Sequence, residues 1–290
     1  MLLRKFLSTF LVFCGFASAG FIASVKAQNK AANQEKQQKK EKQEKEKPEK
    51  PKPVAFDIKN PTAEQVAELT IYAYGGLGGR NTLVQIRKSE VETGQIRRFL
   101  EDGKTDESSY ERRILRGATL DKDRIRINQK TPQAEYALIY DTSKTFGLIN
   151  NTTFTPRVEA DRAFQAQMFH SIDALLRYKE NGSTLKLTGK DKSMNVEFFV
   201  LEVTDKQGHT TRFNISAKTF RVQSLEYTMA LTDSAAPTKF IRRFYDYRIA
   251  QGTLVPYRSV LFVEGKQVEE TNVMTVTYGT KIDEAQFQAE

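Results

Sequence analysis

From residue 89 onward, short runs of alternating apolar and polar side chains are separated by Gly, Asn, Asp and Lys turns. A period of two places successive side chains on opposite faces of a strand. The pattern predicts strands near 89–101, 108–118, 122–130, 134–141, 144–150, 184–190, 194–205, 209–216, 220–231, 238–249, 253–264 and 267–278. Ile125 with Ile127, and Phe198 with Val200, each put two apolar groups on one face, leaving Arg124, Arg126, Glu197 or Phe199 opposite. Sequential strands with polar turns imply an antiparallel meander.

Helical periods interrupt this pattern. Thr62-Ala-Glu-Gln65 reads as a capped helix start, Val66, Leu69, Ile71 and Tyr72 as its apolar stripe, and Gly75-Gly76-Leu77-Gly78-Gly79 as its end. A phosphate loop would follow a strand and open a helix, whereas these glycines follow a helix, so they read as a C-cap. A short helical stretch follows near Leu83 to Ile86. Residues 159–178 place Phe164, Met168, Ile172, Leu175 and Leu176 on one stripe, terminated by Glu180-Asn181-Gly182. An amphipathic helix inside a meander must bury that stripe against the sheet. Residues 55–290 therefore read as one mainly β (α+β) domain, a large curved sheet with helices on its inner side.

Charge and composition change the picture mainly at the N-terminus. The formal net charge is +9, but Arg4, Lys5 and Lys26 supply +3 and residues 29–53, with nine Lys against five Glu, supply +4. Residues 54–290 carry +2, which is not the concentrated positive field that nucleic acid requires. Met1-Leu-Leu-Arg-Lys and the uncharged run Phe6 to Val25 read as a secretory signal, residues 1–27, with cleavage after Ala19 or Ala27. Twenty residues would also suffice for an uncleaved anchor, but the run thins into Gly, Ser and Ala after Phe16, which favours cleavage. Residues 28–54, rich in Lys, Glu and Pro, read as a disordered tether that cannot bury enough apolar surface to offset its ordering entropy. The single cysteine, Cys14, lies inside the signal, which leaves the exported chain without a disulfide, a thiolate nucleophile or a Cys-based metal site.

Reaction chemistry is sparse. His170 falls on the polar flank of the 159–178 helix and His209 at a hairpin turn, without the spacing of a metal pair, and both read as surface or helix-flank residues. No Gly-x-Ser-x-Gly elbow occurs. Two of Glu90, Asp141, Glu202, Glu226 and Asp246 could converge across strands as an acid/base pair, but carboxylates scattered among Lys and Arg are usually the wet side of a sheet. Strand aromatics are frequent, among them Phe198, Phe199, Phe213, Tyr227, Phe240, Phe244, Tyr247 and Tyr257. They either fill a core or line an apolar trough suited to acyl chains.

The order of elements carries a resemblance. A helix ending in Ala73-Tyr-Gly-Gly76, a Leu83-x-x-Ile86 step into the first strand, a Tyr140-Asp141 strand end and the 160–178 helix precede Leu185-Lys-Leu-Thr-Gly189. The chain closes with Phe244-Tyr-Asp-Tyr-Arg248, Gly252-x-x-Val255-Pro256-Tyr257 and Ile282-Asp283-Glu284-x-x-Phe287. Over about residues 61–288 this resembles the periplasmic outer-membrane lipoprotein-sorting (LolA-like) superfamily. The resemblance implies a strongly curved antiparallel sheet forming an incomplete β-barrel, helices plugging its concave face, and a cavity for acyl groups. It also implies an arginine on an early strand that holds the plug closed. Arg112, Arg113 and Arg116 lie in that region, but no flanking motif selects one.

The expected function is a non-enzymatic periplasmic carrier or sensor of lipid or acylated lipoprotein, without a cofactor or metal, handing cargo to inner- or outer-membrane partners. Phe99, Ile114, Ile125, Ile127, Leu138, Phe198, Val200, Phe213, Tyr227 and Phe244 are the expected cavity lining, and the stripe of the 159–178 helix the lid. The rival is an envelope interaction module with a packed core, and a hydrolase stands third.

Overall fold

A computed structural model describes residues 60–150, 152–193 and 195–288; the expected signal (1–27) and tether (28–54) lie outside the described residues. Two helices, α1 (Ala63–Gly75) and α2 (Gly79–Ile86), precede six strands: β1 (Ser89–Phe99), β2 (Thr105–Leu115), β3 (Arg124–Lys130), β4 (Glu135–Tyr140), β5 (Thr145–Ile149) and β6 (Thr152–Phe154). Helices α3 (Val158–Phe169) and α4 (Ile172–Leu176) lead to β7 (Thr184–Ser193), β8 (Val196–Thr204), β9 (Thr210–Ser216), β10 (Val222–Met229), β11 (Thr238–Ala250), β12 (Thr253–Val263) and β13 (Lys266–Tyr278).

All strands form one antiparallel sheet in the order β6-β5-β4-β3-β2-β1-β13-β12-β11-β10-β9-β8-β7. Two meanders are thus joined through β1 and β13, and the sheet stays open between β6 and β7 as a curved incomplete barrel. The crossover between these two edges is the α3–α4 segment, so the chain has no choice but to lay that segment over one face of the sheet.

The N-terminal expectation holds in detail: the Thr62 hydroxyl accepts from Gln65 N at 3.2 Å while Gln65 Oε1 accepts from Thr62 N at 2.8 Å, satisfying two otherwise orphaned donors. The stripe of α1 is shifted, however. Val66, Ala67, Thr70, Ile71 and Tyr74 are buried and Tyr72 is exposed, because a 3.6-residue period from Val66 and Ala67 arrives at Tyr74. Gly76, at φ +58°, ends the helix in a conformation that side chains rarely adopt.

Three further departures have physical causes. The predicted 159–178 helix is two helices, broken at His170 and Ser171, since Ala174 N turns back to Ser171 O at 3.1 Å and begins a new turn. The edge strand β6 was not predicted; it has three exposed residues, too few to show a period, and is held where the Phe154 ring covers Gly147, its register partner on β5. The third concerns β8, where Phe199, Leu201 and Val203 pack with the helices and Phe198 and Val200 take the other face.

The core divides accordingly. On the inner face α1 packs against β7, β8 and β12, and Val66, Ile71 and Tyr74 join Phe199, Leu201, Phe213, Ile215 and Leu225 in one cluster. On the outer face the C-terminal segment is pinned over β3–β5: Phe287 is fully buried among Ala137, Ile139 and Phe146, and Arg126 donates to Gln286 O at 2.9 Å. Phe287→Ala should lower unfolding free energy by about 3 kcal/mol in denaturant titration, the usual loss for truncating a buried aromatic; an unchanged midpoint would show that the segment contributes no stability.

Candidate functional site

The inner face is filled unevenly. Under α1 it is solid, but beneath α3 and α4 a cavity of about 210 Å³ remains, floored by β1, β2, β3, β11, β12 and β13. One part of its wall is apolar, formed by Ile96, Ile114, Ile125, Ile127 and Phe244 below with Phe164, Met168 and Ile172 above. The other part is charged. Arg87, Arg98, Arg112, Arg116 and Arg242 line it together with Glu90, Glu92, Asp123, Asp173 and Glu269.

Strand parity explains this composition. Glu90, Glu92, Ile96 and Arg98 share the inner side of β1, and Tyr110, Arg112 and Ile114 that of β2. Gly94 sits between them because a Cβ there would come within 2.4 Å of Asn272 O and 2.7 Å of the Tyr110 ring. Arg112 Nη2 donates to Glu90 Oε1 and to Glu92 Oε2, each at 3.0 Å, and Tyr110 OH donates to Glu92 Oε1 at 2.7 Å. Burial pushes Glu92 up, opposed by Arg112 and reinforced by Glu90. The same burial would push Arg112 down, but Glu92 and Glu90 more than offset it and the guanidinium stays charged.

This network reaches the crossover through one residue. Asp173, at the start of α4, meets Arg116 Nη2 at 2.5 Å and Arg87 Nη1 at 3.5 Å, and Arg87 also donates to Leu254 O at 2.9 Å. Burial raises the Asp173 carboxyl, yet Arg116, then Arg87 and Arg177, outweigh it and hold it at about 2. Of the three arginines near the expected gate, only Arg116 touches the crossover. Arg112 serves the β1 carboxylates, and Arg113 pairs with Glu111 and Gln286 on the outer face.

The break between α3 and α4 is itself anchored. His170 is buried rather than on the surface: its Nδ1 shares a 2.8 Å hydrogen bond with Thr211 Oγ1, its ring stacks on Tyr227 at 3.9 Å, and His209 stands edge-on at 5.9 Å. Burial, helped by His209, holds His170 down at about 4, so it is neutral near pH 7. After α4, Arg177 meets Asp123 at 2.6 Å, and Arg80 of α2 binds Glu180, Glu68 and Leu176 O, so the far end of the crossover is tied to α1 and α2.

Among the expected lining residues, Ile114, Ile125, Ile127 and Phe244 border this cavity, as do Phe164, Met168 and Ile172 of the expected lid. Phe213, Tyr227, Leu175 and Leu176 lie in the solid core, and Leu138 packs against it. Phe99 falls on the outer parity of β1, and Phe198 and Val200 on that of β8. Four of the five candidate acid/base carboxylates stand apart: Glu202 faces Lys186, Glu226 faces Arg212 and Lys239, Asp246 faces Arg248, and Asp141 caps a turn. The close pair is Glu90 with Glu92, bridged by Arg112. Among the described residues no group of three or more His, Cys, Asp or Glu is placed to hold a metal, and no helix is long and apolar enough to cross a membrane.

No protein-family model matches the sequence, and no curated protein matches it. Solved structures do match in three dimensions. A LolA superfamily protein from Nitrosomonas europaea superposes with a TM-score of 0.54 at 12% identity, over 79% of this chain and 98% of that one. A putative outer membrane lipoprotein-sorting protein domain from Vibrio parahaemolyticus gives 0.51 at 12% identity over 78% and 95%. A DUF1329 family protein from Desulfovibrio piger gives 0.54 at 10% identity over 79% and 98%. With its open thirteen-stranded sheet and helix-plugged inner face, the chain has the fold of the LolA superfamily.

Proposed function

We propose that this protein is a periplasmic carrier or sensor that holds an acyl chain beneath α3 and α4, without catalysing a reaction on it. The observation that carries the reading is the uneven filling of the inner face: α1 packs closely against β7, β8 and β12, while beneath α3 and α4 lies a cavity with isoleucine on its floor and Phe164, Met168 and Ile172 on its roof. Apolar walls take up acyl groups without directed hydrogen bonds, and each buried methylene contributes about 0.8 kcal/mol. The fold likeness to a lipoprotein-sorting domain supports the same reading, and the signal-like residues 1–27 supply the route to the periplasm. The rival, an interaction module with a packed core, accounts less well for the open volume.

In this reading α3 and α4 are a lid. It is closed by Asp173 between Arg116 and Arg87 and jointed at His170, while the Arg177–Asp123 and Arg80–Glu180 ties keep its far end fixed.

Native mass spectrometry with organic extraction, on protein purified from the periplasm, tests the function. Co-purifying phospholipid or acylated peptide is the expected result; an apo mass together with failure to take up added lipid would move the assignment to the interaction module.

Asp173→Asn takes the carboxylate partner from Arg87 and leaves Arg116 with Glu90 alone, and should cost about 3 kcal/mol. Amide exchange across residues 158–176 should accelerate with it, and unchanged exchange would mean that the ionic clamp does not hold the lid.

His170 gives a pH signature. Its folded-state value lies below the ordinary 6.5, so as pH falls from 6.5 towards 4 the unfolded chain takes up a proton that the folded protein refuses, and stability drops. Between pH 7 and 4.5 the wild type should lose about 2 kcal/mol more than His170→Gln. Parallel stability curves for the two would show that His170 is not held neutral.

A further inference from the structure

We infer that the cavity's ligand is a single-chain amphiphile with an anionic head, a carboxylate or a phosphate, seated on Arg98, Gln129 and Arg242. The inference rests on the lipid reading above and specifies the class of lipid.

The first support is a set of unspent donors. Gln129 is 6% exposed and lines the cavity. One atom of its amide meets both Arg98 Nη2 at 2.9 Å and Tyr136 OH at 2.6 Å. A guanidinium only donates, so that atom must be the oxygen, and the amide nitrogen is fixed as the free end. Among the described residues that nitrogen has no hydrogen-bond partner. Both donors of that amide are therefore available to an acceptor that enters the cavity. Arg98 Nη1 and Arg242 Nε likewise have no partner among the described residues; Arg242 spends Nη1 on Ser259 Oγ at 3.1 Å and Nη2 on Glu269 at 3.4 Å. The three groups offer donors without acceptors, and two of them are charged, which favours an oxygen anion over a neutral ester or hydroxyl.

Charge balance points to the same place. Around Arg112, three arginines meet Glu90, Glu92 and Asp173 at 2.5–3.5 Å, an even match. Asp123 is taken by Arg177. Arg98 and Arg242 share Glu269 alone, at 3.7 and 3.4 Å, and Asp106, the register partner of Arg98, makes no ion pair with it. The cavity's surplus positive charge therefore sits beside Gln129, where the Arg98 side chain is 33% exposed against 10% for Arg116.

The path for the tail begins at the same residues. Ile96 is the next inward residue to Arg98 on β1, and Ile127 the next to Gln129 on β3, followed by Ile125. At about 210 Å³ the cavity falls below the 300–1,000 Å³ usual for drug-sized ligands, which favours one acyl chain over several.

The test is displacement of a bound apolar dye from the full exported protein by palmitate, by 1-palmitoyl-glycerol-3-phosphate and by neutral 1-palmitoylglycerol. Both anions should act at about tenfold lower concentration than the neutral lipid, the effect of one charge-assisted hydrogen bond, and whichever is stronger identifies carboxylate or phosphate as the natural head. Raising the salt concentration should erode that advantage in the wild type. In Arg98→Gln combined with Gln129→Leu the anions should compete no better than the neutral lipid. Equal potency of all three on the wild type would overturn the anionic seat while leaving the lipid reading intact, and a tenfold preference surviving in a folded double variant would overturn these residues. If no amphiphile displaces the dye, the lipid reading itself fails and the seat with it.

Discussion

A sheet that curls without closing must have its inner face covered, and here α1 covers one side and the single crossover between the two edges covers the other. Laid flat, thirteen strands would set β6 and β7 about 58 Å apart, at about 4.8 Å per strand. Helices α3 and α4, of 12 and 5 residues, cover about 25 Å of that distance. Strong curvature brings the edges within easy reach of the crossover and fixes its course over the inner face. With α1 already occupying the β7–β8 side, the crossover is left to roof the β1–β3 side, and it is too slender to fill it.

What occupies that side is largely ionic. Ion pairs buried between sheet and roof add little net stability, since desolvation offsets their attraction, but each partner is expensive to strand once the other is in place. Such a contact favours a roof that is either docked with all its charges matched or displaced. Apolar contact alone would be more forgiving of intermediate positions. Asp173 is where this rule reaches the helices, and His170 is where they bend. The solid half of the core contrasts with this: Tyr74 and Tyr247 meet through their hydroxyls at 2.9 Å and Tyr247 also reaches Val222 O, locking α1 to β10 and β11, and burial pushes Tyr74 up to about 12, so that it stays a neutral hydrogen-bonding group.

Much of the fold was legible because its determinants are local. Twelve of the strands, the capped start of α1 and its glycine stop follow from period, cap and turn chemistry within a few residues. The motifs that carried the resemblance proved to be contacts: Tyr74 of the early helix meets Tyr247 of the late strand, and Phe287 of the closing motif seals the outer face of β4 and β5. The cavity wall is apolar over only part of its extent. Ile125 and Ile127 border it, whereas Phe198 takes the other face of β8, a strand that is apolar on both sides and offers no alternation to read.

Sequence by itself therefore determined most of the elements, their order and the antiparallel meander, since hydrophobic period and turn residues act over short range. Tertiary structure alone decided which half of the inner face is solid and which is open, that His170 is buried, and that Glu90, Glu92, Arg87, Arg98, Arg112, Arg116 and Asp173 face inward. In the chain those charges look like any solvated strand face. Their burial depends on curvature and on where the crossover passes, and both are properties of the whole sheet that no local window of sequence contains.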